Sequence, residues 1–478
     1  MKKILLSLIT LIVINNFLFA QDLISSAYKG TTTAQSLNDQ FGVALFDYDV
    51  DYYKITYTTP DIHGVLDTAS GLVILPNVND KAFPMLCYQH GTVGSKEDVP
   101  SNLQGGYLLS VIWAATGYVT FAPDFLGLGE ARGFHPYVHA DSEASAAIDM
   151  LYATKEFADG NSTHYNEQLF LTGYSQGGHA AAALQKELQE NHATTLPVTA
   201  SAPMSGPYSI SGVMQDFMNS LEPYGFVGYL PYTLLSYQEV YGNLYTELTD
   251  IYKPAYAPMV EQFYNAEIDL GELNTMLTAQ LIADYGASIP LKMIRDDVTA
   301  EVQSNPDHPF NVAMRDNDVH NWAPTAPTRL YYCTADDQVP FENSVVADSV
   351  MNSLGAVDLA AIDVSSISNH TECVQFALIF GDFFFSGYQR IDDLTNVHNL
   401  ELTDYYAVYP NPANELLFVE NKKENGFLQL IDINGKVLLE SNLSEGQNQI
   451  NIAAIPTGMY FLKMNYEDSF FTEKLMVR

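Results

Sequence analysis

The chain has 478 residues, 47% of them apolar, enough for a large core and more than one domain. With 57 acidic against 21 basic side chains its net charge is −36, which repels phosphate backbones and anionic lipid surfaces and argues against nucleic-acid partners. Three cysteines (Cys87, Cys333 and Cys373) are too few for a disulfide framework, and none shows zinc-site spacing.

The chain opens Met1-Lys2-Lys3, then runs almost wholly apolar from Ile4 to Ala20. A basic start, a short apolar stretch and a small residue at the break predict a signal peptide over residues 1–20, too short for a stable span. No later stretch has the length of an integral membrane span, so an exported, soluble protein is expected. Val50–Tyr57 alternates as a strand and Gly71–Pro76 follows after a turn. Strands then alternate with helices. Met85–Tyr88 leads to a helix near 102–117, and Tyr118–Ala122 to one near 141–157. The apolar run Leu169-Phe170-Leu171-Thr172 passes through Gly173-Tyr174-Ser175-Gln176-Gly177 into an alanine-rich helix. A strand near 196–203 follows. After residue 325 come a strand at Arg329–Cys333, a helix from about 341, a strand near 357–364 and a helix from about 371. This alternation predicts an α/β fold, a mostly parallel sheet flanked by helices.

The interruption at about 208–325 holds 11 of the 31 tyrosines and 6 of the 14 methionines, with helical rather than strand periodicity. Placed after the sixth main strand, it reads as a helical cap over the carboxyl edge of the sheet. A polar linker is expected at 389–405. Beyond it, short strands broken by Asn434-Gly435 and Pro456-Thr457-Gly458 predict a small β-sandwich over 406–478.

Gly-x-Ser-x-Gly between a strand and a helix of small residues is the form of a nucleophile elbow, which makes Ser175 the candidate nucleophile. A serine nucleophile needs a base and an acid to orient that base. On an α/β-hydrolase sheet the chain order is serine, acid, histidine. Five histidines follow Ser175 outside its own helix: His192, His308, His320, His370 and His398. Of these, His370 alone falls in a loop just after the last core strand. For the acid, Asp336 lies in the turn after Arg329–Cys333, within a D-x-x-V-P pattern, with Asp337 and Asp363 as alternatives. Either Asp336 or Asp337 could instead cap the helix that follows. An oxyanion hole needs two backbone N–H groups. Gln176 supplies one by its place in the elbow, and Thr92 of His90-Gly91-Thr92 is expected to supply the other. His90 and Asp124 read as loop-organising residues, and His179 as structural.

The set His90-Gly91-Thr92, Pro123-Asp124-Phe125-Leu126-Gly127-Leu128-Gly129, His135-Pro136-Tyr137, Gly173–His179 and Asn369-His370-Thr371-Glu372-Cys373 resembles the secretory lipase family of α/β-hydrolases over about residues 40–388. The resemblance implies a carboxylic-ester hydrolase with Ser175, Asp336 and His370 as triad and a cap over an apolar pocket. The chain departs from many hydrolases in carrying Cys333 where glycine is common. If the triad forms, Cys333 and Cys373 lie close, so a disulfide bracing the site is expected. Tyr409-Pro410-Asn411-Pro412-Ala413, the Asn434-Gly435-Lys436 turn, Pro456–Tyr460 and the ending Lys474–Arg478 resemble the sorting domain of the type IX secretion system of Bacteroidetes. That implies the type IX machinery as partner, passage through periplasm and outer membrane, and removal of the domain. A carbohydrate-binding module is the competing reading of this sandwich.

The expected protein is thus a secreted serine esterase acting on an apolar small-molecule ester through an acyl-enzyme, with no metal or organic cofactor. A peptidase of prolyl-oligopeptidase type, an acyltransferase and a binding protein on an inactive scaffold are the alternatives.

Overall fold

A computed structural model describes residues 22–394, 405–432, 436–466 and 470–478. The signal segment, His398 and the Asn434-Gly435 turn lie outside the described residues. The chain divides into two units, one ending at Asp393 and the other beginning at Leu394.

In the first unit, β2 (Val50–Pro60) and β3 (Leu66–Pro76) pair antiparallel from Val50 opposite Pro76 to Pro60 opposite Leu66. The alternation read in this stretch buries Ile55, Tyr57 and Thr59 on one side of β2. One strand escapes the sequence reading. β1 (Leu23–Thr32) pairs with β2 at the sheet edge and is exposed along most of its length, so it has no apolar face to betray it. It makes the insertion follow the seventh strand rather than the sixth. Then come β4 (Lys81–Gln89), β5 (Val119–Pro123), β6 (His164–Tyr174), β7 (Ala200–Met204), β8 (Thr328–Tyr332) and β9 (Leu359–Asp363). The spatial order is β1-β2-β3-β5-β4-β6-β7-β8-β9. From β5 onward every neighbouring pair on this path is parallel.

Consecutive residues of the central strands enter different cores, as a sheet covered on both faces requires. Cys87, Phe121 and Leu171 pack with α3 (Ala140–Gly160) and α4 (Gln176–Asn191). Leu86, Ala122 and Phe170 pack with α2 (Tyr107–Ala115) and the last helix of the unit, residues 370–386. The helix expected at 102–117 starts late because Gly105 and Gly106 take positive φ (52° and 79°) ahead of it. A short helix, α1 (Ala34–Phe41), joins β1 to the loop before β2.

Between β7 and β8 lie a π-helical turn (Ile210–Met214) and seven helices. These are α5 (Gln215–Met218), α6 (Tyr229–Tyr241), α7 (Leu248–Ile251), α8 (Ala257–Tyr264), α9 (Leu270–Tyr285), α10 (Asp296–Ser304) and α11 (Pro309–Asp316). They close on a core of their own around Tyr237, Tyr252, Val260, Leu273, Leu277 and Met293. α12 (Glu342–Leu354) and α13 (His370–Ser386) complete the alternation. The linker expected from 389 begins later. Gln389 Nε2 donates to the carbonyls of Thr116 and Gly117, and β10 (Asp392–Asp393) pairs with Ala82 and Lys81.

The second unit pairs β11 (Tyr406–Tyr409), β12 (Leu416–Asn421) and β15 (Gly446–Asn451) in one antiparallel sheet. β14 (Val437–Leu443), β13 (Gly426–Ile431), β16 (Gly458–Asn465) and β17 (Phe470–Val477) form another. Leu417, Val419, Leu428, Leu430, Leu462 and Leu475 share its core, giving a small β-sandwich.

Candidate active site

Ser175 stands between β6 and α4 with φ 60° and ψ −123°, a conformation that costs a non-glycine residue about 1–3 kcal/mol. Its N–H donates to the Met204 carbonyl at 3.0 Å, and its own carbonyl accepts from Gly178 N–H at 2.8 Å. The flanking glycines are sterically required. A Cβ on Gly173 would stand 2.2 Å from the Gly177 carbonyl oxygen, and one on Gly177 1.9 Å from that of Gln89. One residue later, a Cβ on Gly178 would meet the Met204 carbonyl oxygen at 2.4 Å. Helix and sheet thus meet backbone to backbone, and Ser175 is held at the carboxyl end of β6.

Asp336 and His370, far apart in sequence, meet across the ends of β8 and β9. His370 Nδ1 lies 2.7 Å from Asp336 Oδ2, with both side chains buried. Asp336 does not cap α12, whose N-cap is Phe341. Its other oxygen, Oδ1, accepts from the N–H groups of Gln338 and Val339 at 2.9 and 2.8 Å. Asp337 has a different task, accepting the His370 backbone N–H at 3.1 Å. Asp363 accepts from Thr334 Oγ1 at 2.6 Å and from Ser365 N–H. His370 itself is not in a loop, as expected from the sequence, but is the first residue of α13. Asn369 caps that helix, and a reciprocal bond with Glu372 closes a capping box. The Tyr174 hydroxyl donates to the His370 carbonyl at 2.6 Å, and the two rings lie 4.9 Å apart. The imidazole therefore sits beside the residue that precedes Ser175. Among the described residues, no hydrogen bond links Ser175 Oγ to the ring. Such bonds are commonly long without substrate and tighten when it binds.

Cys333 and Cys373 are joined by a disulfide, and Cys87 is free and buried. The bridge ties the end of β8, three residues before Asp336, to α13, three residues after His370. A closed loop of this sequence separation, 40, stabilises by about 4 kcal/mol through the unfolded chain. Replacing both cysteines with alanine is expected to lower the unfolding free energy by about 2–4 kcal/mol in urea titrations. Unreduced peptide mapping should return residues 333 and 373 in one linked pair.

The loop after β4 brings Gly91 against the elbow, where a Cβ would lie 3.2 Å from the Tyr174 carbonyl oxygen and 3.6 Å from Ser175 Cβ. Thr92 follows, its hydroxyl 3.0 Å from that of Tyr137. His90 is buried against Phe125, with its ring nitrogens facing the carbonyls of Gly91 and Asp124, which fixes the loop. Asp124 accepts from Ser70 Oγ at 2.5 Å and from Ser101 N–H at 3.0 Å, and burial raises its pKa.

The sequence reading missed a buried network behind Gln176. Gln176 Nε2 donates to Glu143 Oε1 at 3.0 Å and to His135 Nε2 at 2.8 Å. The His135 ring, whose pKa burial pushes down to about 3, is neutral and donates its Nδ1–H to the Leu126 carbonyl at 2.7 Å. Glu143 Oε2 lies 2.7 Å from His179 Nδ1, and His179 Nε2 lies 2.9 Å from the Asn317 carbonyl. Burial opposes charge on His179, but Glu143, the Asn317 carbonyl and Asp318 raise its pKa overall. Both its ring nitrogens face acceptors, the arrangement that suits a ring protonated on both. Position i+3 from Ala140 on α3 gave Glu143 no motif; only a carboxylate predicted on a buried helix face could have marked it.

Ser175 and Gln176 line a cavity of about 1120 Å³, counted to its open mouth. Its other walls come largely from the insertion, including Met214, Met218, Leu234, Ile294 and Phe310. Gln338 and Val339, just after Asp336, close one side. Tyr224 and Tyr229 of the insertion bond the carbonyl and side chain of Gln338, so the insertion touches the loop that carries the acid. Among the described residues, no His, Cys, Asp or Glu cluster could hold a metal ion.

Residues 101–375 match the secretory lipase family, and residues 407–478 match the secretion system C-terminal sorting domain. No curated protein matches the chain in sequence. Among solved structures, the rice cell wall degrading esterase LipA from Xanthomonas oryzae is 26% identical with a TM-score of 0.66, over 75% of this chain and 95% of that one. A candidate hydrolase of Legionella pneumophila is 27% identical with a TM-score of 0.69, over 77% of this chain and 98% of its own. Candida antarctica lipase A shares the fold at 14% identity, with a TM-score of 0.57, over 77% of this chain and 83% of that one. The chain belongs to the secretory lipase family of α/β-hydrolases: it is a carboxylic ester hydrolase that carries a type IX C-terminal sorting domain.

Proposed function

We propose that the protein is a secreted serine esterase in which Ser175 attacks an ester carbonyl, His370 takes and returns the proton, and Asp336 holds the imidazole. The observation that carries this reading is the 2.7 Å Asp336–His370 contact beside an elbow serine at positive φ. With Asp336 accepting at Nδ1, the Nε2 lone pair is free to take the Ser175 proton as the Oγ–carbon bond forms. The N–H groups of Gln176 and Thr92 receive the charge on the carbonyl oxygen. The alcohol leaves with the proton from His370. Water then enters and gives its proton to His370 as its oxygen adds to the acyl carbon, and His370 returns that proton to Ser175 Oγ as the acid leaves. None of these steps calls on a metal or organic cofactor.

The domain assignment follows: a signal peptide at 1–20, a catalytic domain from 21 to 393 with residues 208–325 as its cap, and a sorting domain at 406–478. The carboxylates that dominate the charge lie mostly upstream of residue 409, since the sorting unit holds 9 acidic and 6 basic residues. Export through the periplasm and outer membrane, with removal of both terminal segments, would release the enzyme or leave it at the cell surface. Nucleic acid is not a partner in this reading. Among the described residues, no helix is long and apolar enough to cross a membrane.

The apolar cavity wall supports an ester with an apolar acyl group. A panel of nitrophenyl esters of rising acyl length, with a peptide amide and an acetylated sugar, tests this. The sugar is included because LipA is a cell wall degrading esterase. The highest kcat/KM is expected on an acyl ester longer than acetate. Preference for the amide would overturn the esterase reading, and preference for the acetylated sugar would overturn the apolar one.

A further inference from the structure

We propose that the buried Glu143–His179 pair is a positioning device for catalysis: through the side chain of Gln176 it fixes the backbone amide that receives the oxyanion, and through Asn317 it couples that amide to the helical insertion. The proposal rests on the reading above, in which Ser175 attacks and the Gln176 N–H stabilises the charge that develops.

Three observations converge on this assignment. The first concerns the side chain of Gln176, the residue that follows the nucleophile. Its amide nitrogen is held at two points, by Glu143 Oε1 and by His135 Nε2. The opposite orientation would set the amide oxygen against a carboxylate and a ring nitrogen lone pair. The adopted one leaves the side-chain oxygen Oε1 of Gln176 buried without a partner among the described residues. An unpaired buried acceptor costs about 1–3 kcal/mol, so the hold on the nitrogen outweighs it.

The second is the anchorage of Glu143. Both of its oxygens are engaged, one by Gln176 and one by His179, and its side chain is 1% exposed. His179 lies one helical turn beyond Ser175, and its N–H is 3.3 Å from the Ser175 carbonyl. Glu143 on α3 and His179 on α4 therefore clamp the first turn of the elbow helix. A buried ion pair is seldom the stablest filling for such a space, so a demand for position explains it better than stability does.

The third is where the chain of contacts ends. His179 Nε2 donates to the carbonyl of Asn317, the residue that closes α11 of the insertion. Asn317 is bound on every side: its Nδ2 donates to Ala313 O and Tyr241 Oη, and its Oδ1 accepts the N–H of Ala140, which begins α3. α6 and α11, which wall the cavity, are thus linked through four hydrogen bonds to the residue whose amide meets the oxyanion.

Removing one oxyanion donor lowers kcat by about 10²–10³, and displacing one should lower it by about ten- to a hundredfold. Glu143→Gln and Gln176→Ala are each expected to lower kcat in that range on a short soluble ester, with KM changed less than twofold. The Gln176→Ala protein keeps its backbone amide, so a loss there reports position. The inhibition constant of an alkyl boronic acid, which forms a tetrahedral adduct, should weaken in proportion to kcat in both proteins. A filler of merely structural role would leave both kcat and the boronate inhibition constant unchanged in the folded protein. The double variant should lose no more than the worse single one, since both act through one contact. Should Glu143→Gln fail to fold by near-UV circular dichroism, Gln176→Ala decides alone. A folded Gln176→Ala protein with kcat and boronate affinity within twofold of the parent overturns the proposal. Ser175→Ala runs beside them: if it retains turnover, the reading of the site has failed rather than this inference.

Discussion

Ser175→Ala should abolish ester turnover and covalent labelling by a fluorophosphonate while leaving the protein folded. The substitution removes one oxygen from a half-buried side chain that makes no capping bond to its helix, so little packing is lost. Alanine tolerates φ 60° no worse than serine does, and the strained backbone is held by Met204 and Gly178 rather than by the hydroxyl. Unfolding free energy is expected to shift by less than about 1 kcal/mol. Catalysis loses its covalent step entirely. In serine hydrolases removal of the nucleophile costs a factor of about 10⁶ in kcat, and what remains comes from binding and the oxyanion donors. Labelling followed on a gel, with near-UV circular dichroism as the folding control, gives the answer. A folded alanine variant that still labels would place the nucleophile elsewhere.

The parallel sheet was legible because its strands are buried on both faces and read as apolar runs ended by turns. The antiparallel β2 announced itself by alternation. β1 did not, because Leu23–Thr32 is held by backbone pairing with β2 while its side chains stay largely in solvent. Composition carries no trace of such an edge. The elbow was legible for a related reason: three close backbone approaches allow only glycine at 173, 177 and 178, and steric exclusion of side chains leaves a mark in sequence. Chain order singled out His370, and a strand end singled out Asp336; the structure brings their side chains together. It also shows that His370 opens a helix rather than lying in a loop, which the Asn369–Glu372 capping box would have revealed.

Glu143 marks the limit of this approach. Its importance comes from two partners, Gln176 and His179, that are remote in sequence and reached only when α3 lies along α4. A carboxylate in Ala140–Gly160 has no local signature that separates a buried anchor from a solvated one. His179 was visible within the elbow motif, but its partners were not. Contacts made by packing two helices are therefore the part of the site that the residue order hides, whereas turns and strand ends are the part it displays.

The pair Asp336→Asn and Asp337→Asn separates the two neighbouring carboxylates by their chemistry. Asp336 Oδ1 accepts two backbone N–H groups, from Gln338 and Val339. In Asp336→Asn the amide oxygen must keep that place, which turns the NH₂ toward His370 Nδ1. A donor there forces the ring to carry its proton on Nε2, where the Ser175 proton has to go. The fold should survive, since size and both backbone bonds are kept, but the base is then the wrong tautomer, a change worth about 10⁴ in kcat. Asp337→Asn is different. Its side-chain oxygen can still accept the His370 backbone N–H now bonded at 3.1 Å, and the imidazole is untouched. Activity within about fivefold of the parent is expected for that variant, on the strength of one weakened hydrogen bond. Steady-state kinetics on a nitrophenyl ester, with both proteins checked for fold, discriminate sharply. Because Asp336→Asn harms the base rather than the nucleophile, raising the pH should restore part of its rate through the deprotonated serine. The reverse ranking, with Asp337→Asn the more damaged, would exchange the roles of the two residues.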